Sequence, residues 1–105
     1  MPRGVGKAAL DLEKLKRALR EHLPQLRARY RVKSLGLFGS YVRGEQRKRS
    51  DLDVLVDFEE APSLFELMDM EDELARLIGT KVDLVTRKTL RGRIGQRILQ
   101  EVVYL

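Results

Sequence analysis

Residues 34–58 read SLGLFGSYVRGEQRKRSDLDVLVDF. A short apolar run ends at Gly39-Ser40, and a basic loop with Arg43, Arg47, Lys48 and Arg49 follows. A second apolar run then opens with Asp51 and Asp53 at i and i+2. Side chains at i and i+2 of a strand share a face, so the two carboxylates point the same way, about 6.5 Å apart along the backbone. Like charges held that close repel unless a cation lies between them, and a hard cation such as Mg²⁺ suits oxygen ligands. A glycine leaving a strand lets backbone N–H groups approach a phosphate, and the Ser40 hydroxyl adds a donor. The stretch reads as a metal site facing a phosphate-binding turn, the equipment for phosphoryl or nucleotidyl transfer.

The neighbouring residues supply the frame. Leu12, Leu15, Leu19, Leu23 and Leu26 recur at three and four residues, predicting an amphipathic helix from about Ala8 that Pro24 breaks. Residues 35–38 predict a buried strand, and residues 41–44 one helical turn. Leu52, Val54, Val56 and Phe58 alternate with Asp51, Asp53, Leu55 and Asp57, the clearest strand pattern in the chain. Ser63-Leu64-Phe65-Glu66 is a capping box. The helix it opens is expected to bury Leu64, Leu67, Met68, Leu74, Ala75 and Ile78, to leave Met70 on its surface and to stop at Gly79. A third strand is expected over residues 81–86 and a last helix over residues 90–104. The order is helix, strand, strand, helix, strand, helix.

Asp83 is the third candidate, because a charge is unwelcome inside Val82-Asp83-Leu84-Val85. If its strand neighbours that of Asp53, three carboxylates can hold two Mg²⁺ ions roughly 3.5–4 Å apart, with Asp83 also a possible general base. Structural alternatives stand beside these readings: Asp51 as a loop cap, Asp53 paired with a loop arginine, Asp83 paired with Lys81 or Arg87. Asp57 shares the face of Asp53 but lies about 13 Å away at strand spacing, which makes it structural. One or two of Arg43, Arg47, Lys48 and Arg49 can contact phosphates, since arginine forks suit phosphate oxygens, and a solvated loop is the alternative for any single one. Tyr41 packs beside the nucleotide or covers the turn, and His22 receives no role.

The whole chain sets bounds. Its 105 residues make one domain, residues 1–105, with a modest core. There is no cysteine, which excludes disulfides and thiolate chemistry. No apolar run approaches the ~20 residues of a membrane span, and no signal peptide follows Met1, so a cytoplasmic location is expected. Charge is divided. Residues 1–50 carry fourteen Lys/Arg against four Asp/Glu, residues 51–73 ten Asp/Glu and no Lys or Arg, and the last 32 seven against two. An acidic middle of net −10 would repel phosphate backbones, so nucleic acid is not expected as a direct partner.

Gly39-Ser40, a ten-residue spacer, Asp51-x-Asp53 and a later strand carboxylate, Asp83, resemble the hallmark of the DNA polymerase beta-like nucleotidyltransferase superfamily. Size, spacer and element order resemble its minimal nucleotidyltransferase branch, often the antitoxin half of a two-protein system. The resemblance runs from about Leu10 to the end of the chain. It implies an α+β fold, a small mixed sheet flanked by helices. It also implies Mg²⁺ held by Asp51, Asp53 and Asp83 as the catalytic carboxylates, ATP as donor, and Gly39, Ser40 and Arg43 at the nucleotide. The implied partner is a HEPN-domain ribonuclease toxin, which such proteins can silence by attaching AMP to a tyrosine. Neutralisation by binding alone, or adenylation of a small molecule, are the rival readings.

Overall fold

The computed structural model describes residues 11–47 and 50–105. The expected helix start at Ala8, and the loop cations Lys48 and Arg49, lie outside the described residues. Helix α1 (Leu12–Tyr30) leads into strand β1 (Val32–Phe38), a one-turn helix α2 (Ser40–Arg43) and strand β2 (Leu52–Phe58). Helix α3 (Leu64–Ile78), strand β3 (Val82–Thr86), a 3₁₀ turn (Arg87–Thr89), helix α4 (Gly92–Glu101) and the two-residue strand β4 (Val103–Tyr104) complete the order.

The strands form one mixed sheet in the order β3-β2-β1-β4. β1 is antiparallel to β2 and β4, whereas β2 and β3 run parallel. Parallel neighbours need a crossover, which α3 supplies. Leu52, Val54 and Val56 of β2, with Leu35 and Leu37 of β1, pack against Leu19, Leu23 and Leu26 of α1 and Met70, Leu74 and Ile78 of α3. The alternate positions of the strands, among them Asp53, face the other side of the sheet, as a side-chain period of two requires. Gly36 makes room there for the C-terminal segment: a Cβ at this position would lie 2.5 Å from Val102 Cγ2.

Four expectations are corrected. α1 runs unbroken through Pro24. Pro24 is exposed, so the carbonyl its ring deprives of a partner can turn to water, while Leu23 and Leu26 stay buried on the opposite face. The face α3 buries is Met70, Leu74 and Ile78, whereas Leu64 is 70% and Met68 54% exposed. Two apolar series interleave along this helix, one turned about 100° from the other, and spacing alone does not choose between them. The last helix ends at Glu101, because residues 103–104 pair with Gly36 and Leu37 as a strand. β1 begins at Val32, three residues earlier than the apolar run suggests.

Polar groups fasten the frame. Asp11 caps α1 by accepting from the Glu13 N–H at 2.9 Å, and the expected capping box at Ser63 and Glu66 is present. Glu73 on α3 accepts from His22 Nε2 (2.6 Å) and Tyr30 Oη (2.9 Å), both on α1, and from Arg29 Nη1 (2.6 Å). His22 therefore has a structural part. Burial alone would raise the Glu73 pKa, but these donors hold it below the usual carboxylate value. At the β3 edge of the sheet, Glu71 Oε2 accepts from the outward N–H of Leu84 at 3.0 Å.

Candidate active site

β1 ends, and β2 and β3 begin, at one edge of the sheet. Asp53 pairs in register with Phe38 on one side and with Asp83 on the other. Register partners in neighbouring strands project from the same face, so Asp53 and Asp83 stand side by side, while Asp51, just before β2 begins, is near enough for its charge to act on Asp53. Asp53 is half-buried and Asp83 exposed. Burial and the negative charges of Asp83 and Asp51 push the Asp53 pKa up from 3.8 to about 6, opposed by Arg43. Asp57, at the far end of β2, instead lines a separate cleft with Pro62 and Arg87.

Gly39 leaves β1 directly against this group. Its φ of 84° and ψ of −155° lie in a region that is essentially glycine-only. A Cβ here would stand 2.0 Å from Asp53 Oδ2. Glycine at this position thus serves two needs, the turn and the approach of backbone to carboxylate. Ser40 opens α2, Tyr41 is buried in the core, and Arg43 lies one turn on. Tyr41 is thereby placed under the turn, where its hydroxyl donates to the Ser50 carbonyl at 3.4 Å.

A cleft of about 230 Å³ opens over the turn, lined by Phe38, Gly39, Arg43 and Asp53 on the sheet side and by Ile94, Arg97, Ile98 and Glu101 of α4. Glu101 is a residue that sequence reasoning missed. Its Oε2 accepts from the Gly39 N–H at 2.6 Å, and its Oε1 from Arg43 Nη1 at 2.8 Å. Burial opposes its ionisation, but these two donors hold its pKa below the ordinary value. Arg43 also donates to Glu45 at 2.8 Å. The one hint in the sequence was that Glu101 is the sole acidic residue after Asp83.

The carboxylates are neighbours without being a preformed cage: among the described residues, no three acidic or histidine side chains converge closely enough to hold a metal ion. The donor set nonetheless fits a hard divalent cation. The raised Asp53 pKa marks an excess of negative charge that such an ion would relieve.

A mixed sheet with a Gly-Ser turn at the end of one strand and carboxylates in register on the next two defines a nucleotidyl-transfer fold of the polymerase-beta kind. The chain belongs to the nucleotidyltransferase domain family, whose sequence profile matches residues 12–105. Its relatives include a protein adenylyltransferase, MntA, from Thermococcus cleftensis, 47% identical over 93% of this chain and 99% of that one. A solved minimal nucleotidyltransferase is 41% identical, with a TM-score of 0.76 over 91% of this chain and 97% of the other. A toxin–antitoxin complex containing MntA provides a third likeness, 25% identical with a TM-score of 0.65, covering 92% of this chain and 72% of that one. No helix among the described residues is long and apolar enough to cross a membrane.

Proposed function

We propose that this chain is a Mg²⁺-dependent protein adenylyltransferase that moves AMP from ATP to a tyrosine hydroxyl of a HEPN-domain ribonuclease toxin, and so acts as its antitoxin. The observation that carries the reading is the register of Asp53 with Asp83 beside a glycine that no other residue could replace without striking Asp53. The near-full-length MntA relative supports adenylyl transfer to protein, and the toxin–antitoxin complex supports the class of partner.

The residues divide the work. The Gly39 N–H, the Ser40 hydroxyl and Arg43 would hold phosphate oxygens and orient the triphosphate. Asp51, Asp53 and Asp83 would ligate Mg²⁺, which when bound stabilises charge on the triphosphate and favours ionisation of the acceptor hydroxyl. Asp83, exposed at the start of its strand, is reachable by an incoming tyrosine. There its carboxylate would accept the hydroxyl proton while the phenolic oxygen bonds to the α-phosphorus and the bond to pyrophosphate breaks. A chain this small has little wall to enclose an acceptor, in keeping with an acceptor brought by another protein.

Incubation with α-labelled ATP, Mg²⁺ and the partner toxin should place label on the toxin, and D53N should abolish transfer. Equal labelling by the variant would refute the assignment. One observation favours a second reading, neutralisation by contact: Leu64 and Phe65, at the start of α3, are large apolar side chains left 70% and 77% exposed. A D51N/D53N double variant that still protects cells from the toxin would support it.

A further inference from the structure

Two of the donors assigned to phosphate, the Gly39 N–H and Arg43, are engaged by the chain itself. One carboxylate, that of Glu101, spans the Gly39 N–H and the Arg43 guanidinium, with one oxygen on each. Those two oxygens stand where two oxygens of a phosphate group would be received. Charge-assisted bonds of this length are the strong kind, so a triphosphate entering the cleft must compete with them. The same carboxylate adds to the negative field on Asp53.

Glu101 has a second partner within reach. Arg97 lies four residues earlier on α4, lines the same cleft and already acts on the Glu101 charge. Residues at i and i+4 of a helix face one another about a turn apart. Arg97 can therefore receive the carboxylate if it leaves Gly39 and Arg43.

On the reading of the site given above, we propose that Glu101 is a positioning residue for the nucleotide: it holds Gly39 and Arg43 in place while no phosphate is bound, and yields both to the triphosphate by turning to Arg97. Glu101 acts through those two groups and does not touch the reacting atoms. The exchange is one anion for another, so the cleft keeps its donors satisfied in both states. It also makes nucleotide affinity weaker than the bare cradle would give, by the cost of displacing the internal anion.

The test is a double-mutant cycle on the full chain, with the dissociation constant of a non-hydrolysable ATP analogue measured by calorimetry in Mg²⁺ at pH 7.5. E101Q keeps the shape and removes the charge, and should bind the analogue roughly tenfold more tightly. R97A should bind it roughly threefold or more weakly, and that penalty should vanish in the E101Q background, because there is no longer a carboxylate to receive. Glu101 as a purely structural tie predicts the opposite, a lowered melting temperature with unchanged or weaker binding in E101Q. An R97A penalty that persists beside E101Q means that Arg97 holds phosphate directly and overturns the exchange. If E101Q does not fold, E101A takes its place in the same cycle, and unaltered affinity in R97A removes the receiving group. Wild-type protein that binds no analogue would bring down the nucleotide reading itself, a result distinct from either failure above.

Discussion

Replacing Asp53 with asparagine should make the protein more stable and inactive at once. The wild-type carboxylate sits beside Asp83 and Asp51, and burial with their charge raises its pKa from 3.8 to about 6. A group whose folded pKa lies above its unfolded value favours folding fully below the unfolded pKa, and that contribution is lost as pH rises through the folded one. Here the loss falls between pH 3.8 and about 6. At pH 7.5 the folded chain bears the whole burden of the ionised carboxylate, which asparagine does not carry. About two pH units correspond to at most about 3 kcal/mol. Asp53 is only half-buried, and water screens its neighbours, so about 1–2 kcal/mol is the expected gain. That is roughly 4–16 °C in melting temperature for a domain of this size. Thermal melts of both proteins without divalent ions, from pH 4 to 8, measure it. The gap should be widest above pH 6.5 and shrink by about 1–2 kcal/mol on reaching pH 4. Adding Mg²⁺ should then raise the melting temperature of the wild type and not of D53N. A gap that is flat with pH, or a variant that gains as much from Mg²⁺, would refute the account of three crowded carboxylates.

Two further substitutions probe the turn and the helix tie. Gly39→Ala puts a Cβ 2.0 Å from Asp53 Oδ2 on a backbone with φ of 84°. It should cost about 2–4 kcal/mol in urea unfolding and remove adenylyl transfer, whereas an unchanged midpoint would contradict the close approach. Glu73→Ala strips His22, Arg29 and Tyr30 of a common acceptor and should cost about 1–3 kcal/mol near neutral pH. Because the folded pKa of Glu73 is lowered, that difference should hold above pH 4.5 and fall away as pH drops below it, in denaturation curves of the two proteins compared side by side.

What could be read from the chain was what is local. The alternation through Leu52–Phe58 and the glycine-serine punctuation after residue 38 are patterns of period two and of single turns, and both appear where expected. The adjacency of Asp53 and Asp83 depended on strand order, which only the crossover through α3 creates. The burial of Met70 in place of Met68 depended on which of two apolar rows met the sheet. The short strand at residues 103–104 is made by pairing to β1, with too few side chains to leave a pattern. Glu101 reaches a glycine 62 residues away, a distance over which no motif in a single sequence gives warning. Pro24 shows the reverse case, a strong local signal overridden by a stripe of leucines that continues on both sides of it.

The bond from Glu71 to the Leu84 amide bears on how this small protein meets others. The outer strand of a sheet invites recruitment of foreign backbone, the first step toward fibres and also a common way to capture a peptide. With its exposed amide already claimed by a side chain from the neighbouring helix, β3 offers an incoming strand a broken ladder. Addition of foreign backbone along β3 is thereby disfavoured. The same safeguard should keep a short domain with uncovered apolar residues from polymerising along that strand.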